Sequence, residues 1–281
     1  MRAFMISGHT RIIAHLGVPT ETFKAPMIYN PWFEAKGIDS VVVPMGCEAD
    51  DFPAFLELLF RLRNIDGALI TTPHKMRVVD LLDEASTAVK ICGACNAVRR
   101  DTDGRLIGDM FDGEGFVRGV AVKGRAIAGA TVFIAGCGGV GSAIAAALAK
   151  AGAKHLSLYD ISETAADNLA ARLRLQYPKL GISTGATDPA GHGIVVNATA
   201  LGTYEDDPLP IDVSRIEPGA FVGEVILKQE ETPFVAAARA KGCETQIGID
   251  MLFEQIPAYL EFFGYPPATS AELRALATIR Y

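Results

Sequence analysis

The run "GALITTPHK" places Lys75 just beyond an apolar stretch and two residues after a proline. A lysine leaving the carboxyl end of a strand can exchange a proton with a substrate oxygen when its surroundings tune the ammonium. Asp112, in "GDMFDGEGF", is the carboxylate suited to hold and orient such an ammonium. His74 is next to Lys75 but would point elsewhere on a helix.

A second group of residues fits a phosphate-bearing ligand. In "FIAGCGGVGSAIAAALAKAG", Gly136, Gly138 and Gly141 satisfy G-x-G-x-x-G between an apolar strand and an alanine-rich helix. The first glycine permits a tight turn and the second a close approach of backbone to pyrophosphate. The third lets the helix pack closely, and its N-terminus supplies N–H donors and a positive dipole. Asp160, ending "HLSLYD", stands near the expected ~20-residue spacing for a carboxylate that accepts from ribose hydroxyls. It would repel a 2′-phosphate, which favours NAD over NADP. Capping the next helix through "DISET" is its plain structural role, and the two roles are compatible.

These groups need elements to carry them. With 281 residues, 49% of them hydrophobic, the chain can bury two cores. A net charge of -7 argues against nucleic acid, whose binders present basic surfaces. No window has the ~20 apolar residues of a membrane span, and the first twenty residues read as no signal peptide, so a cytoplasmic location is expected. Cys47, Cys92, Cys95, Cys137 and Cys243 are odd in number and scattered, which suits reduced thiols. "CGAC" lacks the further ligands that would complete a metal site, so no metal is expected.

Strand-like runs alternate with helical patterns from "RIIAHLG" through a helix from Pro26, "IDSVVVPM", a helix over Phe52 to Leu62, "GALIT" and a helix after Pro73. That alternation implies a parallel sheet. "DTDG" then predicts a hairpin between Ala97 and Ile107, making the sheet mixed. A helix over Gly113 to Val122 leads to a second alternating series. It comprises "TVFIAG", a helix over Gly139 to Ala151, "HLSLYD", a helix over Ser162 to Leu175, "GIVVNAT", "AFVGEVI", a helix after Pro233 and "CETQIG". The expected fold is α/β in two domains. A substrate domain over 1–115 has a mixed sheet and is completed by helices of 249–281, and a doubly wound, Rossmann-type parallel domain spans 116–248. A cleft between such halves is a usual ligand site.

The ordered set "GALITTPHK", "GACNAV", "GRLIGDMFDG", "AGCGGVGSA", "VVNAT", "TPFV" and "GIDMLFEQ" resembles the shikimate dehydrogenase family over nearly the whole chain. The resemblance implies that Lys75 and Asp112 form the catalytic pair, and that Thr71, Asn96 and Gln255 contact substrate hydroxyls. It gives Gly136, Gly138, Gly139, Val140, Gly141, Asp160, Asn197 and Thr199 to an NAD or NADP cofactor. The implied reaction is hydride transfer between nicotinamide and a hydroxyl or ketone of a cyclic polyol acid, such as shikimate or quinate, in a monomer or homodimer. Asn96 and Gln255 are chemically apt, since an amide donates and accepts at once.

The departures from the pattern concern the substrate. Where the family shows serine-x-serine-proline, "TETFKAPMIYN" has Phe23 and Ala25, with Lys24 between them as a substitute cationic donor. Met110 and Phe111 replace Asn-Thr, Leu69 replaces a common asparagine, and Leu227 replaces a tyrosine that would approach the ring carboxylate. All run toward apolar. A less well paired substrate carboxylate follows, and with it an altered substrate range: a related cyclic acid, or a less polar cyclic alcohol. A non-catalytic or weakly active NAD-binding sensor is the alternative, but its mark would be loss of Lys75 or Asp112, and both are present.

Overall fold

In a computed structural model of the chain, which describes residues 5–204 and 206–280, the polypeptide divides into two compact units. One comprises Met1–Phe111 with Ile256–Arg280, the other Asp112–Gln255.

The first unit contains β1 (Arg11–Leu16), α1 (Pro26–Lys36), β2 (Ser40–Met45), α2 (Phe52–Leu59) and β3 (Ile65–Ile70). After these come β4 (Glu84–Ala85), α3 (Thr87–Cys92), β5 (Ala97–Arg100) and β6 (Leu106–Asp109). The sheet order is β2-β1-β3-β5-β6-β4, with β1, β2 and β3 parallel. The β5–β6 hairpin is antiparallel, and β5 is antiparallel to β3, so the sheet is mixed as the "DTDG" turn requires. In that turn Asp101 Oδ1 accepts from the amides of Asp103 and Arg105, each at 2.9 Å.

Local chemistry sets the helix ends. Pro26 opens α1, where a missing N–H costs nothing, and Gly37 closes it in the left-handed region at φ 66°. Two helical expectations are corrected. The helix at Phe52 ends at Leu59, and Arg61 and Leu62 continue with tighter bonds to carbonyls three residues back. No α-helix follows Pro73: residues 72–76 form turns, leading to a 3-10 helix over Arg77–Leu81. The Lys75 carbonyl accepts from the distant amide of Cys95 at 2.8 Å, which ties this turn to the start of the hairpin.

The second unit contains α4 (Asp112–Val122), β7 (Thr131–Ala135), α5 (Gly139–Lys150), β8 (His155–Tyr159), α6 (Glu163–Gln176) and β9 (Gly181–Thr184). The series continues with β10 (Ile194–Asn197), β11 (Phe221–Glu224), α7 (Pro233–Ala240), β12 (Glu244–Gln246) and the start of α8 (Gly248–Phe262). Its six strands are all parallel in the order β12-β11-β10-β7-β8-β9, a doubly wound sheet that reverses direction between β7 and β10. Phe133, Ala135, Val195, Val222, Phe234 and Ala238 build a core on one face of it. Strand β9 joins as an edge strand that carries no motif in the sequence.

The chain ends in the first unit, with the second half of α8 and with α9 (Ser270–Leu276). Helix α9 begins in a capping box between Thr269 and Glu272, and Lys36 of α1 pairs with Glu272 at 2.9 Å. Tyr265 donates to Asp66 at 2.7 Å, and Phe263 fills the space beside Gly67, where a Cβ would lie 2.3 Å from its ring. The C-terminal helices therefore complete the first unit. All five cysteines are buried, and none is joined in a disulfide.

Candidate active site

In the first unit, β1 and β3 are neighbours, and the segments leaving their carboxyl ends lie against each other. Thr71 N donates to Leu16 O at 2.9 Å and Val18 N to Thr72 O at 3.1 Å. Gly17 makes this approach possible: a Cβ there would stand 2.4 Å from Thr71 Cγ2 and 2.7 Å from Thr72 O. Half-buried Thr71 and Lys75 are thus held on a turn that is bonded to β1 on one side and, through Cys95, to the hairpin on the other.

Asn96 lies buried at the start of β5. Its backbone N–H donates to Asp109 O at 3.0 Å, and its side-chain Oδ1 accepts from Phe111 N at 3.0 Å. Asn96 therefore fixes the residue preceding Asp112. Phe111 packs edge-on against Tyr259 and Phe262, with centroids 4.9 and 5.6 Å away, so its exchange for a polar residue is absorbed by aromatic packing within the unit. His74 is committed elsewhere: buried, it bonds Cys47 O through Nε2 at 2.7 Å and stacks on Phe52 at 4.1 Å. Lys24 donates through Nζ to the Arg280 carbonyl at 2.5 Å, while Phe23 and Ala25 on either side of it are buried.

His15 belongs to no motif, yet the structure brings it to this place. It pairs in register with Leu69, its ring stacks on Phe23 with centroids 4.0 Å apart, and its buried Nδ1 has no hydrogen-bond partner. Burial, reinforced by the nearby charge of Lys75, drives its pKa down from 6.5 to about 3. The sequence signal that points to it is position: it stands two residues before Gly17 at the end of the first strand of a βαβ series.

In the second unit the glycine loop follows β7. Gly136 has φ 97°, and a Cβ on it would lie 2.6 Å from the Ala198 carbonyl. Gly141 is tighter still, since a Cβ would stand 1.9 Å from Gly136 O. Gly138 is different: nothing lies within 4 Å of its Cβ position, and as N-cap of α5 it offers no side chain to the first-turn amides. An exposed, uncapped helix N-terminus behind an open glycine is the cradle that a pyrophosphate requires, and Gly139 and Val140 form its first turn. Asp160 joins this loop to β8, accepting from Cys137 N at 2.7 Å and from Ser162 N at 2.9 Å. Asn197, buried at the end of β10, accepts through Oδ1 from Thr199 N at 3.0 Å and from Thr199 Oγ1 at 2.7 Å.

Asp112 is the buried first residue of α4, where the helix dipole favours a carboxylate. Gln255 on α8 is buried with an unpartnered Oε1, and α4 approaches it so closely that a Cβ on Gly115 would lie 2.6 Å from Gln255 Cβ. Glu224, at the end of β11, belongs to no motif. It accepts from Thr232 Oγ1 at 2.8 Å and leaves Oε1 unpaired. Its burial raises the carboxyl from 4.5 to about 7. Half-buried Leu227 follows it. Among the described residues there is no cluster of histidine, cysteine and carboxylates that could hold a metal, and no helix is long and apolar enough to cross a membrane.

A mixed α/β unit with a lysine-bearing turn at the carboxyl ends of its strands, and a doubly wound parallel unit with a glycine-loop cradle, define a two-part α/β protein of dehydrogenase type. Comparison with known proteins narrows this class. Residues 16–98 match the model of the shikimate dehydrogenase substrate binding domain, and 117–177 match that of the ThiF family. A shikimate dehydrogenase (NADP(+)) of Acidiphilium cryptum is 33% identical over 275 residues, covering 97% of this chain and 98% of the relative. Among solved structures, quinate dehydrogenase from Corynebacterium glutamicum in complex with NAD has a TM-score of 0.86 at 27% identity, covering 95% of this chain and 98% of that one. The 5-ketofructose reductase of Gluconobacter sp. strain CHM43 has a TM-score of 0.86 at 25% identity, covering 96% and 98%. The chain belongs to the shikimate dehydrogenase family, and it is an oxidoreductase acting on an alcohol group.

Proposed function

We propose that the protein transfers hydride between a nicotinamide dinucleotide and the hydroxyl or ketone carbon of a hydroxylated ring compound. The observation that carries this reading is the glycine loop, whose open Gly138 heads an uncapped helix at the switch point of the doubly wound sheet. Gly136, Gly138, Gly139, Val140 and Gly141 hold the pyrophosphate, Asp160 accepts from the ribose, and Asn197 and Thr199 line the same strand ends. The nicotinamide, when bound, accepts or supplies the hydride.

This chain's residues handle the proton and the orientation. Lys75 gives or takes the proton at the substrate oxygen, and Asp112 orients its ammonium. Thr71, Asn96 and Gln255 bind ring hydroxyls, and the orphaned Oε1 of Gln255 supports that role. The substrate domain is 1–115 with 249–281, and the cofactor domain is 116–248. Asp160 favours NAD, because its carboxylate repels a 2′-phosphate. The protein works in the cytoplasm as a monomer or homodimer.

The substrate is a cyclic hydroxy acid of the family or a less polar ring alcohol. Buried Phe23, Ala25 and Leu69, all without hydrogen-bonding side chains, favour the second. Turnover of shikimate, quinate and cyclic alcohols, each with NAD and with NADP, tests the reading. It predicts NAD-linked oxidation of at least one ring, and activity restricted to NADP would refute the role of Asp160.

A further inference from the structure

His15 stands at the carboxyl end of β1 in register with Leu69. Register partners of parallel strands project from the same face, so imidazole and isobutyl group form adjoining parts of one wall. Phe23 stacks on the imidazole, 4.0 Å between centroids with 25° between planes. Lys75 lies near enough for its charge to oppose protonation of the ring, and burial opposes it more strongly. The imidazole is therefore uncharged at neutral pH.

This uncharged ring is incompletely paired. Its Nδ1 is buried without a hydrogen-bond partner, although buried polar atoms in folded proteins are as a rule satisfied by protein, water or ligand. The same wall suits a carboxylate poorly. Phe23 and Ala25 offer no donors, Leu69 offers none, and Lys24 is engaged with the Arg280 carbonyl. A carboxylate placed there loses hydration that the wall does not replace, whereas a hydroxyl or carbonyl needs one partner.

We propose that His15 is a specificity-determining residue: through Nδ1 its imidazole, backed by Phe23, binds an uncharged hydroxyl or carbonyl of the substrate, selecting uncharged polyhydroxylated rings over ring carboxylates. The proposal rests on the reading of Lys75 and its turn as the substrate site.

Methyl shikimate and shikimate share one ring and differ in that an uncharged ester replaces the carboxylate. Calorimetric titration of both into the NAD-saturated protein tests the selection, using wild type, His15→Leu and His15→Asn, in which the asparagine amide can stand near the position of Nδ1. The wild type is expected to bind methyl shikimate about tenfold tighter than shikimate or better. His15→Leu weakens the ester about three- to tenfold, the loss of one neutral hydrogen bond, and His15→Asn recovers most of it. Thermal unfolding of both variants separates loss of fold from loss of contact. Tighter binding of shikimate by the wild type, equal binding of the ester by wild type and His15→Leu, or no binding of either ring would overturn the proposal. A parallel Lys75→Ala turnover assay keeps the two claims apart: retained turnover defeats the proposed reaction and leaves the binding comparison to judge His15.

Discussion

The backbone amide of Cys137 donates to Asp160 Oδ2 at 2.7 Å, so the carboxylate that ends β8 is bonded directly to the glycine loop that follows β7. Its other oxygen holds Ser162 N at 2.9 Å. The negative charge is thereby fixed beside the loop, where the proposed function puts the cofactor ribose. Asp160→Ser removes the charge and keeps a polar group. The ratio of kcat/KM with NADP to that with NAD should rise at least about tenfold, corresponding to ~1.4 kcal/mol of differential transition-state binding. Initial rates with both cofactors measure it, and an unchanged ratio would mean that Asp160 only organises the loop.

Gly141 and Gly138 of the loop serve different ends, and alanine distinguishes them. Gly141→Ala drives a methyl against Gly136 O, 1.9 Å away, and should cost about 1–3 kcal/mol of unfolding free energy by overpacking. Gly138→Ala meets open space at φ -69°, so its unfolding midpoint should stay near that of the wild type while NAD affinity drops. Denaturant unfolding and fluorescence titration with NAD separate the two effects. Equal loss of stability in both variants would contradict the assignment of Gly138 to the ligand.

Glu224 makes stability depend on pH. Its carboxyl is raised from 4.5 to about 7 by burial, so the folded state prefers the protonated acid. The corresponding stability is fully present below pH 4.5 and is lost as pH rises through about 7. Glu224→Gln removes this titration and leaves a group that can still accept from Thr232. Melting temperatures between pH 5 and 8 should move in favour of the variant as pH rises, and a constant difference would show that Glu224 does not titrate in this range.

Much of this was legible in the sequence because it depends on local patterns. The glycine spacing, the alternation of strands and helices, the "DTDG" turn and the capping residues act within a few positions, and the elements appear where those signals stand. Strands β4 and β9, of two and four residues, carry no such pattern and owe their form to neighbours in the sheet. The turn after Pro73 departs from a helix where the Lys75 carbonyl meets Cys95, a contact between segments twenty residues apart that no local pattern announces. His15 stayed hidden for the same reason: a histidine among apolar strand residues acquires its meaning from Phe23, Leu69 and Lys75 only once the strands are aligned. Glu224, a lone acid inside "FVGEVI", was the readable sign of a buried carboxyl.

Restoring the two missing hydroxyls tests the account of substrate range. Phe23→Ser with Ala25→Ser supplies donors for a carboxylate, and kcat/KM for shikimate should rise at least about tenfold, as expected for hydrogen bonds to a charged group. The loss of the buried phenyl ring should lower stability by about 3–5 kcal/mol, so the assay belongs well below the variant's melting temperature. Unchanged shikimate kinetics in a folded double variant would mean that these positions do not set the preference.

The central claim is that Lys75 carries the proton of the reaction, and Lys75→Ala measures it most directly. With the best ring substrate and NAD, kcat should fall by about 10²–10⁴, the usual contribution of a general acid or base, while the dissociation constant for NAD changes less than about twofold. Turnover within about twofold of the wild type would contradict the account.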